Sequence, residues 1–216
     1  MDTEFARRQM VEQQIRTFDV FDAKVLTLLG ELPREEFVPS GFRALAFAET
    51  KIPLDHGQCM MTPTVEGRLL QSLALEPGDE VLEIGTGSGF LCACLARLAR
   101  SVVSVDIFPD FVEGAGPKLK NIGVENVALA AMDATKELPG GRFDAIAVTG
   151  SCPMFDIRFF NALKPGGRLF VIVGVPPVMD AQLIVRGPDD KPKVTYLFET
   201  NVLPLINAAA PPAFRF

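Results

Sequence analysis

Residues 80–90 read Glu80-Val81-Leu82-Glu83-Ile84-Gly85-Thr86-Gly87-Ser88-Gly89-Phe90. An apolar run, Val81 to Ile84, ends in glycines at alternate positions, and an apolar helical stretch, Phe90 to Leu98, opens directly behind them. Strand, tight glycine turn and helix in that order form the first half of a βαβ unit. The glycines let the chain turn sharply and leave its backbone open to a ligand. Val102 to Asp106 makes a second strand, Val127 to Ala131 a third and Phe143 to Val148 a fourth. Arg168 to Val173 makes a fifth, after the turn Lys164-Pro165-Gly166-Gly167. Apolar strands alternating with helices predict an α/β fold with a doubly wound, mostly parallel sheet. The helix between the second and third strands holds Gly114, Gly116 and Pro117, and is expected to be kinked or short there.

Upstream, residues 1–50 read as a helical cap. Phe5, Met10, Val11 and Ile15 recur at mixed helical spacing, Val25, Leu28, Leu29 and Leu32 form a second stripe, and Pro33 and Pro39 interrupt the pattern. Residues 51–62 read as a loop. Thr62-Pro63 then reads as the N-cap and first residue of a helix carrying Val65, Leu69, Leu70 and Leu73. Downstream, Gln182 to Arg186 and Val194 to Phe198 flank a polar turn and predict an antiparallel hairpin on the sheet edge. The Ala/Pro-rich tail, residues 208–216, is expected to fray. With no repeat and no linker, residues 1–216 are expected to be a single domain: a helical cap with an active-site loop over 1–62, and the α/β core over 63–216.

The chain has 216 residues, 48% hydrophobic and 22% charged, enough to bury a core without disulfide or metal staples. No apolar run approaches the roughly 18 residues of a membrane span. The start lacks a basic segment followed by an apolar one, so a cytoplasmic protein without a secretory leader is expected. A net charge of −6 disfavours nucleic acid as a partner. Cys59, Cys92, Cys94 and Cys152 contain no CxxC pair. Cys92 and Cys94 fall two apart in a helical stretch and point to nearly opposite sides, so buried reduced thiols are expected and no metal. His56 is the only histidine, which makes a His-rich metal site or a Ser-His-Asp triad hard to build.

Asp106 ends the second strand, 106 − 85 = 21 residues after the first glycine. A carboxylate at that offset can bind both hydroxyls of a ribose. The G-x-G-x-G spacing is not the G-x-G-x-x-G of dinucleotide binders, and an adenosyl ligand without a pyrophosphate fits it better. Asp133, after the third strand, either receives an adenine amino group or caps a turn.

Glu83-x-Gly85-x-Gly87-x-Gly89 with Asp106 resembles motif I and the following acid of class I S-adenosylmethionine-dependent methyltransferases, which are Rossmann-like. The flanks are similar to the protein-L-isoaspartate O-methyltransferase family. They are Met10-Val11-Glu12-Gln13-Gln14, Pro33-Arg34-Glu35-Glu36-Phe37-Val38-Pro39, His56-Gly57-Gln58, Lys164-Pro165-Gly166-Gly167-Arg168-Leu169 and Val202-Leu203-Pro204-Leu205. The resemblance covers roughly residues 5–206. It implies S-adenosylmethionine as cofactor, with Gly85, Thr86, Gly87, Ser88 and Gly89 on its methionine portion and Glu83 near its amino-acid end. It implies Asp106 and the adjoining Ile107 at the ribose, and Asp133 and Ala134 at the adenine. Cys59, Met61 and Thr149 would line the methyl-transfer site, in a loop region after the fourth strand in the case of Thr149. The implied acceptor is a peptide or protein carboxylate, that of an L-isoaspartyl residue. His56 would lie beside the site, as a base or as a loop anchor.

One segment departs from the family. Where the family reads Thr-Ile-Ser-Gln-Pro, this chain reads Cys59-Met60-Met61-Thr62-Pro63, so Met61 replaces a serine and Cys59 a threonine. A free carboxylate, with a pKa of about 4, is already an ionised nucleophile at neutral pH. Methyl transfer to it needs alignment and exclusion of water rather than a base. Losing one orienting hydrogen bond to a charged group costs about 1.5–3 kcal/mol, or roughly 10- to 150-fold in rate. Met61 is also longer than serine and would fill acceptor space if it points inward. The departure leaves two alternatives open: the same fold with a different acceptor, or a non-catalytic cofactor-binding homologue. Thr62 could restore a hydroxyl, but its place before Pro63 suits an N-cap better.

Overall fold

The structure is a computed structural model and describes residues 3–210. Of the tail expected to fray, residues 211–216 lie outside the described residues. Helix α1 (Thr3–Gln9) runs into a π-helical turn over Met10–Ile15 and a 3-10 turn over Arg16–Phe18. Helix α2 (Ala23–Glu31) is capped by the Asp22 carboxylate, which accepts from the Lys24 and Val25 amides. Met10, Val11, Ile15, Val25, Leu28, Leu29 and Leu32 are buried, as their spacing predicts, but Phe5 is 58% exposed.

Residues 51–62 form more than a loop. Strand β1 (Ile52–Pro53) pairs antiparallel with β2 (Cys59–Met60), Ile52 facing Met60 and Pro53 facing Cys59. Helix α3 (Pro63–Leu73) follows and buries Leu69, Leu70 and Leu73. The core then alternates as the apolar runs predict: β3 (Glu80–Ile84), α4 (Phe90–Leu98), β4 (Ser101–Asp106), α5 (Pro109–Asn121) and β5 (Val127–Ala131). It continues with β6 (Phe143–Cys152), α6 (Ile157–Asn161), β7 (Leu163–Val175), β8 (Val178–Arg186) and β9 (Pro192–Thr200). Among the described residues the main sheet has seven strands in the order β5-β4-β3-β6-β7-β8-β9. The first five in that order are parallel, and β8 and β9 form the expected antiparallel hairpin at one edge.

Three expectations need correction. Helix α5 runs unbroken from Pro109 to Asn121, through Gly114, Gly116 and Pro117. Proline removes only one helical hydrogen bond, and burial of Ala115 and Leu119 offsets that loss. Strand β6 does not stop at Val148 but continues to Cys152, its register with β7 slipping between Ala147 and Ser151. Thr149 and Gly150 therefore sit in a bulge rather than in a loop, and bulges of this kind re-aim side chains. Strand β7 absorbs the Lys164–Gly167 turn, with a matching slip between Phe143 and Ala145.

One apolar cluster joins the cap to the sheet, bringing Met10, Ile15 and Leu29 together with Leu69, Leu70 and Phe170. The opposite face of the sheet packs Leu82, Ile146 and Val171 against Phe159 and Phe160 of α6. The four cysteines are free, and Cys92, Cys94 and Cys152 are buried. Among the described residues no helix is long and apolar enough to cross a membrane. Strand β3 lies between β4 and β6, so strand order reverses there. The connections leaving β3 and β6 diverge at such a switch point and open a crevice beyond the strand ends.

Candidate active site

The crevice is a cleft with about 1150 Å³ of empty space, its open mouth included. Its floor is the glycine turn after β3. Gly85 has φ +101°, and Gly87 φ +49°. Thr149 Oγ1 donates to the Ile84 and Gly85 carbonyls, at 2.9 and 3.0 Å, and stitches β6 to the turn. A β-carbon on Gly85 would lie 2.1 Å from that hydroxyl.

Asp106 closes the turn from the β4 side. Its Oδ2 accepts from the Gly87 amide at 2.9 Å and its Oδ1 from the Phe108 amide at 3.0 Å. A carboxylate has about four acceptor sites, so each oxygen retains capacity for a ligand hydroxyl. Burial raises the Asp106 pKa, and the two amides oppose the rise. Asp133 fulfils the capping alternative: its Oδ1 accepts from Thr135 N and Oγ1, and its Oδ2 from Asn207 Nδ2 at 2.9 Å. Burial works against ionisation there, but these bonds and that from Lys136 outweigh it and hold the carboxyl at about 2.

Met61, Thr62, Cys59, Gly85, Thr86, Gly87, Ser88, Asp106, Ile107, Asp133, Ala134 and Thr149 all line the cleft. Three residues expected at the site are not brought to its wall. Gly89 (φ +87°) instead lets α4 approach α5, because a β-carbon there would meet Ala115 Cβ at 2.9 Å. His56 stacks on Phe108 with ring centroids 4.1 Å apart and places Nε2 2.8 Å from the Asp110 carboxylate, tying the β1–β2 hairpin to the start of α5. The hydrogen bond from His56 holds Asp110 below the usual carboxylate range.

Glu83 is the third. It is wholly buried under the glycine turn. Its Oε2 accepts from Ser104 Oγ, which shares a 2.7 Å bond with Thr86 Oγ1, while Oε1 has no hydrogen bond. Burial pushes its carboxyl up to about 8, so it is neutral at pH 7. A folded-state pKa raised above the unfolded value contributes stability below the unfolded pKa that is lost as pH rises through the folded one. Glu83→Gln is therefore expected to melt like the wild type at pH 5 and above it at pH 9. Parallel melting curves across that range would show that Glu83 does not titrate this way.

Thr62 occupies the N-cap position of α3 but makes no capping hydrogen bond. The Glu49 carboxylate does so instead, accepting from Thr64 N at 3.1 Å and Thr64 Oγ1 at 2.7 Å. Sequence reasoning also missed a buried ion pair behind the segment. Arg34 bonds Glu66, the Ala46 carbonyl at 2.9 Å and the Met61 carbonyl at 2.9 Å. Its partners are far along the chain, and no local pattern marks them. Residues 200–206 form another wall, anchored where Ser151 and Leu203 bond at 2.9 Å.

Residues 6–210 match the family model for protein-L-isoaspartate(D-aspartate) O-methyltransferase (PCMT). The chain is 34% identical over 208 residues to protein-L-isoaspartate O-methyltransferase 2 of Pelobacter propionicus, covering 95% of this chain and 92% of that one. It is 33% identical over 208 residues to the Petrotoga mobilis protein-L-isoaspartate O-methyltransferase, covering 95% and 98%. In fold it is similar to a Plasmodium falciparum structure assigned to the same enzyme, in complex with S-adenosyl-L-homocysteine, with a TM-score of 0.80, 18% identity and coverage of 92% and 97%. A glycine turn and strand-end acid at the switch point, with matches across nearly the whole chain, identify it as a member of the protein-L-isoaspartate(D-aspartate) O-methyltransferase family.

Proposed function

We propose that the protein is an S-adenosylmethionine-dependent O-methyltransferase that esterifies the carboxylate of L-isoaspartyl residues in damaged proteins. The carrying observation is the cleft itself, where the glycine turn, Asp106 and the Cys59–Thr62 segment converge. When bound, S-adenosylmethionine supplies a methyl group on an electrophilic sulfonium. Gly85 to Ser88 offer backbone to its methionine portion, and Asp106 uses its spare acceptor sites for two ribose hydroxyls. Ile107 and Ala134 give apolar wall to the nucleoside, and Asp133 borders the adenine end. The acceptor carboxylate is ionised already, so the chain needs no base, and His56 serves as a hairpin anchor. Thr62 Oγ1, without a hydrogen bond among the described residues, is free to orient the acceptor. Four free thiols suit a reducing compartment, and the protein is assigned to the cytoplasm on that ground.

The place of Met61 and Cys59 in the cleft wall, Met61 buried and Cys59 half-buried, favours a second reading, an acceptor other than isoaspartate, because the family's two hydroxyls are missing there. Transfer of labelled methyl to an isoaspartyl peptide, with the aspartyl peptide as control, separates the two. The expected result is base-labile label on the isoaspartyl peptide alone. Met61→Ser should then raise kcat/KM by about 10-fold or more, the value of one hydrogen bond to a charged group. Absence of label from the wild type, with S-adenosylhomocysteine still bound, would favour the second reading.

A further inference from the structure

Lys51 stands immediately before β1, and the hairpin register assigns it a partner. Ile52 faces Met60 and Pro53 faces Cys59. One step outward, Lys51 comes opposite Met61. Directly opposed residues of an antiparallel pair share a face. By the strand alternation Lys51 and Met61 fall on the face of Pro53 and Cys59, opposite that of Ile52 and Met60, and Lys51, Cys59 and Met61 all line the cleft, with Met61 buried, Cys59 half-buried and Lys51 exposed at its rim. The Lys51 charge is close enough to Cys59 to oppose the burial-driven rise of its thiol pKa.

Among the described residues Lys51 is the only cation in the cleft wall, against Glu66, Asp106 and Asp133. Glu66 is neutralised by Arg34, and Asp133 is paired with Lys136. Lys51 makes no hydrogen bond or ion pair with the described residues. A carboxylate entering this wall loses solvation, and a buried charge needs a partner. We propose that Lys51 receives the acceptor's carboxylate, its ammonium replacing the hydroxyls lost at Met61 and Cys59; this rests on the function proposed above.

The chemistry is self-consistent. An O–CH3 bond forms as the sulfonium S–CH3 bond breaks, and no proton moves. The carboxylate becomes a neutral ester. A charge-assisted hydrogen bond to the ammonium is strong before transfer and weak after it, which favours release of product over substrate.

The test is equilibrium binding to the full chain saturated with S-adenosylhomocysteine. The probes are an isoaspartyl peptide and the same peptide with its free α-carboxyl converted to a carboxamide. The wild type is expected to prefer the carboxylate. Lys51→Gln should weaken carboxylate binding by about 10- to 100-fold, erase the preference and leave S-adenosylhomocysteine affinity unchanged, while Lys51→Arg keeps most of the preference. A carboxylate preference intact in Lys51→Gln overturns the proposal. So does a loss confined to S-adenosylhomocysteine, which would assign Lys51 to the cofactor's own carboxylate. Wild-type binding with the stated preference but no methyl transfer would refute the proposed activity and support the assignment of Lys51. A wild type that binds neither peptide overturns both.

Discussion

Gly85→Ala is expected to weaken S-adenosylhomocysteine binding by about 100-fold, while the protein still folds. At φ +101° a residue with a side chain is strained, at about 1–3 kcal/mol. The new β-carbon would also lie 2.1 Å from Thr149 Oγ1. That hydroxyl cannot simply rotate away, because it bonds the Ile84 and Gly85 carbonyls. The turn must shift instead, and a displacement of about 1 Å can cost roughly 100-fold. Calorimetry with S-adenosylhomocysteine reads the affinity, and thermal melting reads the strain. Thr149→Ala in the same chain removes the clash but not the strained φ, so it should return part of the stability and only part of the affinity. Wild-type affinity in Gly85→Ala would show that the turn does not cradle the cofactor.

Arg34→Met should produce the largest loss of stability. Arg34 is 0% exposed, and its guanidinium carries four interactions. It pairs with Glu66, bonds the carbonyls of Ala46 and Met61, and lies over the Phe90 ring at 4.6 Å. Methionine fills similar space but leaves a buried carboxylate and two carbonyls without partners. Breaking a buried pair from one side costs about 3–5 kcal/mol, and for a domain of this size each kcal/mol lowers Tm by about 2–4 °C. A fall of roughly 6–20 °C follows at neutral pH. Burial pushes Glu66 up to about 7 even with Arg34 opposing, and Glu49 adds to the rise. Without Arg34 the carboxyl rises further, so the variant recovers as pH falls toward 5 and Glu66 takes up its proton. Adding Glu66→Leu should restore much of the loss at pH 8, since paired apolar residues can replace a buried ion pair. A drop in Tm independent of pH and unrelieved by Glu66→Leu would mean that Glu66 is not the group stranded. Arg34 also holds the Met61 carbonyl, so the single variant should lose transfer activity beyond its unfolded fraction.

The β3–turn–α4 unit was legible because its signals are local. Val81 to Ile84, the glycines and Phe90 to Leu98 each announce their own conformation, and observed α4 spans the stretch expected of it. The parallel order and the C-terminal hairpin followed from the same alternation. Asp106 was legible by its distance along the chain from the turn, and Thr149 by its place after the fourth strand together with the family resemblance. Their company was not. The bulge that aims Thr149 at Gly85 arises from how β6 and β7 pair, and α5 survives Pro117 because Ala115 and Leu119 are buried. Thr62 takes the N-cap position of α3 as expected, but the capping bond itself comes from Glu49, whose carboxylate accepts from the Thr64 amide.

By itself, then, the sequence determined the alternation of strands and helices, the glycine turn and the strand-end acid, since each is set by propensity and short-range sterics. Only the tertiary structure decided that His56 turns to Asp110, that Glu83 is buried and neutral, and that Arg34 stands behind Met61. It alone brought Lys51 and Met61 to one cleft wall, at the end of two short paired strands. Those outcomes depend on burial and on partners 21 to 54 residues away, which desolvate a charge or satisfy a donor only after the chain has closed around them.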